Sequence, residues 1–381
     1  MTPPVWARRL PWSIVAVAAA LICLGWLGLA RFEDLAEGGR RVLRQQMVFS
    51  ALALAAMFGL SLPNYRVFCR LSYAAFVLSL LLLVAVYFFP AINQAHRWIR
   101  VGPLGLQPSE FAKVAFVLAL ARYLMYRRNY RRLRGLVVPL ALTTLPVLLI
   151  LKEPNLGTAA VFLPVLFVML FAAGARRGDL LRVALLGMML MPLWWTQMSR
   201  EQKSRVTALF EQPPAHQRPS DDAYHLHRAK QMLALGGPWG SLLAGQPTDD
   251  PAAYRLPEAR SDFIFCVLGE RFGLLGLAAM FGLFGLLAWR GLAVAAATRE
   301  PFGRLLAVGV VTLLAVQVLI NTAMTVGLLP ITGLSLPMVS YGGSGLLAHG
   351  IALGLLLNVG LRPGYEVTKE PFTYAVESGE W

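Results

Sequence analysis

Charge is scarce in this 381-residue chain. Only 14% of its residues are Asp, Glu, Lys or Arg, while 57% are hydrophobic and the mean hydropathy is +0.59. A soluble domain carries roughly a quarter charged residues. Length alone would suggest two or three soluble domains, but so much apolar side chain points instead to one membrane-embedded bundle. Cysteine is scarcer still. Cys23, Cys69 and Cys266 lie far apart, each in or beside an apolar stretch. Without short spacing they make neither a disulfide framework nor a zinc site, and they read as small packing residues. Acidic side chains are outnumbered 20 to 35 by basic ones, a net charge of +15. That excess would suit a nucleic acid, yet the arginines flank apolar runs, where they serve as topology signals. No nucleic-acid partner is expected, and neither internal repeats nor low-complexity tracts are present.

What the chain does have is long apolar runs. Crossing roughly 30 Å of hydrocarbon takes about 20 residues of helix. Runs of that kind fall at 11–31, 46–62, 67–90, 109–126, 135–151, 156–174, 179–197, 262–289, 303–327 and 345–361. The sequence therefore predicts an all-α, polytopic membrane bundle of about ten transmembrane helices. Residues 1–381 form a single integral domain in this reading. A long extracytoplasmic loop, 198–261, separates the seventh and eighth spans, and 362–381 is a cytoplasmic tail. The first run is long and has no small-residue cleavage site before Arg31, so it reads as a span and not a cleaved signal. The second is short and ends at Pro63. An even count puts both termini on one side. Arg8, Arg9, Arg66, Arg70, Arg127, Arg128, Arg131, Arg132, Arg134, Arg176, Arg177, Arg182, Arg290, Arg299 and Arg304 share that side, which the positive-inside bias makes cytoplasmic. Arg40, Arg41 and Arg44 run against the pattern. Segments 91–108, 198–261 and 328–344 then lie outside. The longest of them holds proline patches at Pro213–Pro214 and Gln246–Pro251 around a helix-like stretch at 222–235.

Polar groups at membrane depth are costly and mark function by default. Arg97-Trp98-Ile99 followed by Gln107-Pro108-Ser109-Glu110-Phe111-Ala112-Lys113 is the densest cluster. Ser109 is placed to cap the fourth span. Glu110 and Lys113, three apart, share a helical face and can pair. Ser109 and Lys113 are one residue too far apart for an S-x-x-K acyl-transfer motif. Glu153-Pro154-Asn155 reads as a helix break with a new cap. Glu258 and Asp262 share a face if helix begins by Pro257. Asp262 is either a cap or a partly desolvated functional carboxylate at the membrane boundary. Glu270 and Arg271, two turns deeper, pair with each other or with neighbouring helices. The small-residue loop through Ser340, Gly342, Gly343 and Ser344 feeds a helix N-terminus, which suits an anion or close helix packing equally. His216, His225 and His227 share the long loop without zinc-site spacing.

These segments together resemble the SEDS (shape, elongation, division and sporulation) family, of RodA/FtsW type. Arg97-Trp98-Ile99 with Gln107 to Lys113 looks like its R-W-I … Q-P-S-E-[FL]-A-K. Glu153 to Thr158 resembles [QE]-P-D-[LF]-G-T. Leu256-Pro257-Glu258 with Asp262-Phe263-Ile264-Phe265 resembles L-P-E-x-x-x-D-F-I-F. Gly327 to Ser344 resembles G-L-L-P-x-x-G-x-x-L-P-x-x-S-Y-G-G-S. The likeness covers nearly the whole chain, least in 1–60 and 195–250. It departs at Asn155, where an acid is usual, at Arg271, at Gly345 and at Arg228.

The resemblance implies a peptidoglycan glycosyltransferase of the bacterial inner membrane that polymerises lipid II, with Asp262 the essential acid and Trp98 its required neighbour. It makes Arg97, Gln107, Glu110, Lys113, Glu153, Arg205, Ser340, Gly342, Gly343 and Ser344 candidate substrate-binding residues. Asp262 would act as base, hold a divalent cation (Mg or Mn) or orient the acceptor. The implied partners are a class B penicillin-binding protein transpeptidase and other proteins of an elongation or division complex. Asn64-Tyr65-Arg66 and Met324-Thr325-Val326-Gly327 lean to the elongation branch, and Leu256-Pro257-Glu258-Ala259 to the division branch. A lipid II flippase and a non-catalytic scaffold are the competing functions.

Overall fold

The computed structural model describes residues 10–35, 41–63, 65–90, 96–101, 104–126, 133–210, 221–246, 248, 254 and 256–364. Arg8, Arg9, Arg40, Asn64, Arg127, Arg128, Arg131, Arg132, Pro213–Pro214, His216, most of the second proline patch and residues 365–381 of the tail lie outside them.

In hydrocarbon every backbone N–H and C=O must pair within its own segment, so apolar runs become helices. In chain order they are α1 (Trp12–Leu35), α2 (Arg41–Ser61), α3 (Tyr65–Ala85), α4 (Pro108–Tyr126), α5 (Val137–Lys152), α6 (Leu156–Ala173), α7 (Arg177–Met189), α8 (Met191–Gln197), α9 (Arg200–Thr207), α10 (Asp221–Gly236), α11 (Ser241–Ala244), α12 (Ile264–Ala297), α13 (Pro301–Val326) and α14 (Gly343–Leu361). Among the described residues, 8 helices are long and apolar enough to cross a membrane by length and composition. The chain is thus a polytopic helical membrane protein. A further candidate is the pair α7–α8, bent by 41° where Pro192 enters the first turn of α8; proline lacks the N–H that would continue α7. Helix α4 has the length, but Glu110, Lys113 and Arg122 interrupt its apolar run. It is nevertheless packed inside the bundle, against α3, α6 and α13. Each of the ten expected runs is therefore helical, two of them broken and one charged.

Helix α13 sits at the centre, touching α4, α6, α10, α12 and α14. Helix α14 lies along α2. Gly350 and Gly354 of α14 press on the backbone at Ala53 and Met57 with no space for a Cβ, the close approach that small residues permit between membrane helices. Large apolar side chains such as Leu81, Leu181 and Leu319 face outward, as a lipid-facing surface requires.

Three local expectations need correction, and one open alternative is decided. Segment 91–108 contains a short antiparallel hairpin, β1 (Ile99–Val101) with β2 (Leu104–Leu106), pairing Ile99 with Leu106. Ser109 does not cap α4: the helix already begins at Pro108, and the Ser109 hydroxyl is buried without a partner among the described residues. Proline favours the first helical position because its missing N–H is an orphan there anyway. Of the two alternatives for Glu270, the neighbouring helix is the one found: it pairs with Arg31 of α1 through Nη2–Oε1 at 2.6 Å and Nε–Oε2 at 3.0 Å. The eighth span is longer than expected and interrupted. Gly273 within α12 has φ 65°, ψ −165°, and the backbone of Pro238 and Gly240 packs where its Cβ would stand.

Candidate functional site

A cavity of about 410 Å³ opens at one end of the bundle. Segments that do not span build it: the stretch leading into and out of the hairpin, the α5–α6 break, α9, α10, the turns at 256–263, and the loop between α13 and α14. Arg97, Trp98, Gln107, Glu110, Arg205 and Asp262, all singled out in the sequence, line it together. Gly342 does so too.

Asp262 is not a helix cap. Helix α12 starts after Phe263, and no side chain caps it. The turn before it is organised by Glu258, whose backbone is left-handed (φ 50°) and whose carbonyl accepts the N–H groups of Ser261, Asp262 and Phe263. Both carboxylates of that turn reach the cavity. Burial pushes the Asp262 carboxyl up to about 6, helped by the like charge of Glu258 and opposed by Arg205, Arg97 and a hydrogen bond from Ser261. The Asn321 amide of α13 fixes the backbone here, donating to the Asp262 carbonyl at 2.8 Å and to the Leu334 carbonyl at 2.6 Å. Gly333, at φ 69°, faces Asp262: a Cβ there would lie 3.5 Å from Oδ2.

Arg97 holds the α5–α6 break. Its Nε donates to the Glu153 carbonyl and its Nη2 to the Pro154 carbonyl, each at 2.7 Å. Asn155 then caps α6, its Oδ1 accepting from Thr158 N at 3.3 Å. The Glu153 carboxyl is buried with neither oxygen bonded among the described residues. Burial pushes it up to about 8 against the pull of Arg97, so it is mostly neutral at pH 7. Glu110 and Lys113 form the predicted pair at 2.8 Å, both buried. One Glu110 oxygen binds Lys113 and the other carries no partner among the described residues.

The Ser340–Ser344 loop divides into two roles. Ser340 is outside the cavity lining. Its hydroxyl accepts from Leu336 N and donates to the Ser261 carbonyl. Ser344 ties α14 to the hairpin, donating to Gly105 O at 2.8 Å and accepting from Gln107 N at 3.0 Å. Gly343 lies against the Phe49 ring. Gly342 and Gly345 border the cavity at the N-terminus of α14. Lys113 and Glu153 stand behind the lining. His225, Ser261, Ser335 and Tyr341 also line it, and sequence reasoning gave none of them that place. Ser261, Ser335 and Tyr341 lie within the recognised motif segments, which could have hinted at it, whereas His225 sits on α10 outside them.

Among the described residues no group of three His, Cys, Asp or Glu side chains is close enough to hold a metal. Three carboxylate side chains line the cavity: Asp262 and Glu258 of one turn, and Glu110 of α4.

An apolar helix bundle whose end encloses buried carboxylates beside arginines defines an integral membrane protein built to handle a polar, charged group at a membrane edge. Residues 8–362 match the FtsW/RodA/SpoVE cell cycle protein family, and the chain belongs to it. It is 36% identical over 369 residues to a probable peptidoglycan glycosyltransferase FtsW of Alkalilimnicola ehrlichii, covering 92% of this chain and 89% of that one. Among solved structures it resembles a peptidoglycan synthase complex described as coordinating polymerization and crosslinking, with a TM-score of 0.78, 31% identity, and coverage of 92% of this chain and 97% of that one. It also resembles the rod shape determining protein RodA of Thermus thermophilus, with a TM-score of 0.69, 30% identity, and coverage of 93% and 98%.

Proposed function

We propose that this peptidoglycan glycosyltransferase polymerises lipid II, with Asp262 as the base. The acceptor sugar's 4-hydroxyl attacks the anomeric carbon of the donor. The new C–O bond forms as the bond to pyrophosphate breaks, with inversion. Undecaprenyl pyrophosphate leaves with the electron pair, and the hydroxyl proton passes to Asp262. A base works best when its pKa lies near the operating pH, and Asp262 at about 6 is mostly ionised at neutrality. Arg97 and Arg205 supply the charge that a leaving pyrophosphate needs. Lys113 holds Glu110 at the cavity wall, and Trp98, stacked beside Gly105, offers a face for a sugar. The observation that carries this reading is a partly buried carboxylate, free of any capping role, set in the field of two arginines inside one cavity.

A divalent cation, Mg or Mn, fits the donor set. Magnesium is usually held by one or two carboxylates together with substrate phosphates, and Asp262 and Glu258 are two hard oxygen donors placed for that. When bound it would add positive charge at the leaving pyrophosphate.

The arginine bias supports cytoplasmic termini and a cavity at the outer surface of the bacterial inner membrane, where the head group of lipid II is displayed. A class B penicillin-binding protein follows as partner, because new strands must be cross-linked and this chain has only short outer segments besides 198–261. We assign the chain to the elongation branch on Met324-Thr325-Val326-Gly327 and Asn64-Tyr65-Arg66. The likeness to FtsW over 92% of the chain and Leu256-Pro257-Glu258-Ala259 favour the division branch, and rescue of RodA- or FtsW-depleted cells decides between them. Purified protein incubated with lipid II and Mg, with the partner's transpeptidase serine blocked, is expected to yield glycan polymer. Lipid movement across liposomes without polymer would establish a flippase instead.

A further inference from the structure

On the orientation proposed above, Arg41 stands at the outer end of α2, where the inward bias of positive charge does not explain it. It is also the first residue of its helix, and the helix dipole disfavours a cation there. The acid beside that turn is spent elsewhere, for Glu33 accepts from the backbone N–H groups of Val42 and Leu43. A second arginine, Arg260, belongs to the turn that carries Glu258 and Asp262. Those two acids line the cavity. Arg260 lies instead over the Tyr341 ring, 5.6 Å from its centroid. Tyr341 joins the two arginines. Its hydroxyl donates to Gln45 Oε1 at 2.7 Å, and Gln45 is one helical turn from Arg41, on the same face. Its backbone N–H donates to the Arg260 carbonyl at 3.0 Å. Burial raises the phenol pKa, and the charges of Arg260 and Arg41 pull it back, as cations near the ring must. Both arginines are exposed, and neither is in an ion pair among the described residues.

Tyr341 lines the cavity, so the two cations flank its rim. The face of α2 that carries Arg41 continues through Val48 and Leu52, seven and eleven residues on, and both are exposed as lipid-facing side chains are. A cationic end above an apolar face suits an anion carried on a lipid tail. The proposed reaction has two such anions. The donor's pyrophosphate leaves beside Arg97, Arg205 and the cation on Asp262 and Glu258. In the first coupling the acceptor is lipid II as well. Its 4-hydroxyl must reach Asp262 while its own pyrophosphate stays two sugar rings away, at the membrane edge. Different elements are available for that second group. Arg97 is tied to the α5–α6 break and Arg205 belongs to α9, whereas α2 packs on α1 and α14. We propose that Arg41 and Arg260 bind the pyrophosphate of the acceptor lipid, with the Tyr341 ring between that site and the reacting sugars. This rests on the lipid II reading above and adds to it a second diphosphate site.

Two acceptor-only analogues of lipid II test the site. In one, a methylene group replaces the anomeric oxygen, so the pyrophosphate is kept but cannot leave. The other carries a neutral alkyl chain at the same carbon. Lipid II methylated at its 4-hydroxyl serves as donor in excess. Coupling rates would be measured with the full chain in detergent for wild type, Arg41→Gln, Arg260→Gln, the double variant and Arg200→Gln. An exposed charge pair is worth a few-fold in affinity. Each single variant is thus expected to raise KM for the pyrophosphate acceptor about threefold, and the double variant about tenfold. Values of kcat, and KM for the neutral acceptor, should stay within about twofold, and the neutral acceptor also reports any loss of fold. Arg200→Gln, at the exposed start of α9, should match wild type. Equal losses with the two acceptors overturn the proposal, as does an unchanged KM in the double variant. A defect that appears only when phosphatidylglycerol is added also overturns it, since the arginines then hold an ordinary anionic lipid. If wild-type protein couples neither acceptor, the polymerase reading fails by itself. Direct binding of the pyrophosphate acceptor to wild type and the double variant then still decides the role of the two arginines: a weaker Kd in the variant supports it and an equal one overturns it.

Discussion

Two acids at either end of the first part of α12 have opposite fates. Glu270 is completely buried and bound bidentately by Arg31. Asp262, two turns earlier, is only partly buried; it lines a cavity, and the arginines near it are shared with other groups. Arg97 gives two of its donors to the backbone of the α5–α6 break. Depth alone does not separate a structural acid from a working one. What separates them is whether the carboxylate's hydrogen-bonding capacity is already filled by the fold. Glu110 stands between the extremes, one oxygen held by Lys113 and one left open.

Substitution sharpens the contrast. Asp262→Asn should lower polymerisation by roughly two orders of magnitude or more, the scale of general acid–base catalysis. Its thermal midpoint should stay near wild type, because α12 has no side-chain cap there to lose. Near-native polymerisation by this variant would return Asp262 to a structural part. Glu270→Ala should do the reverse. Removing one partner of a buried ion pair costs about 3–5 kcal/mol, so unfolding in detergent should shift strongly, with the activity of the remaining folded protein largely kept.

The pH profile tests the same contrast more gently. Asp262 must be ionised to accept a proton, and its pKa is raised to about 6. Activity should therefore be low below that pH, climb through it and level off toward neutrality. In Glu258→Gln the like charge that helps raise Asp262 is gone, so the acid limb should move to lower pH. An unmoved limb would mean that another group controls it. The smallest effect is expected at Asn155. Asp and Asn cap helices about equally well, so Asn155→Asp should change stability by less than ~1 kcal/mol and activity little, measured by thermal midpoint and glycan yield.

The helices were legible because about 20 apolar residues in a row have few alternatives. The recognised motifs also led to the cavity: Arg97, Trp98, Gln107, Glu110, Arg205 and Asp262 converge there. Other features depended on tertiary contact. Arg31 reads in sequence as the flank of a span, yet it reaches across to Glu270, 239 residues away. The hairpin strands are three residues each, too short to leave a periodic pattern. The loop holding Ser340 and Ser344 suited an anion or close helix packing equally, and the hydroxyl contacts to neighbouring loops found there are not legible in the local sequence. His225 carried no signal, since a lone histidine on a short amphipathic helix reads the same whether it faces water or a cavity.

Gly273 acts as a depth gauge for the whole site. At 1.5 Å per residue, the portion of α12 at 274–297 is roughly 36 Å long, sufficient alone to cross a hydrocarbon layer of roughly 30 Å. The portion at 264–272 is then left over, a rod of roughly 13 Å that changes direction at the glycine and ends beside Asp262. Its length sets how far the carboxylate stands from the oily interior. Adding or removing one helical turn between Asp262 and Gly273 would raise or lower the carboxylate against the sugars of a membrane-anchored substrate without altering any residue of the cavity.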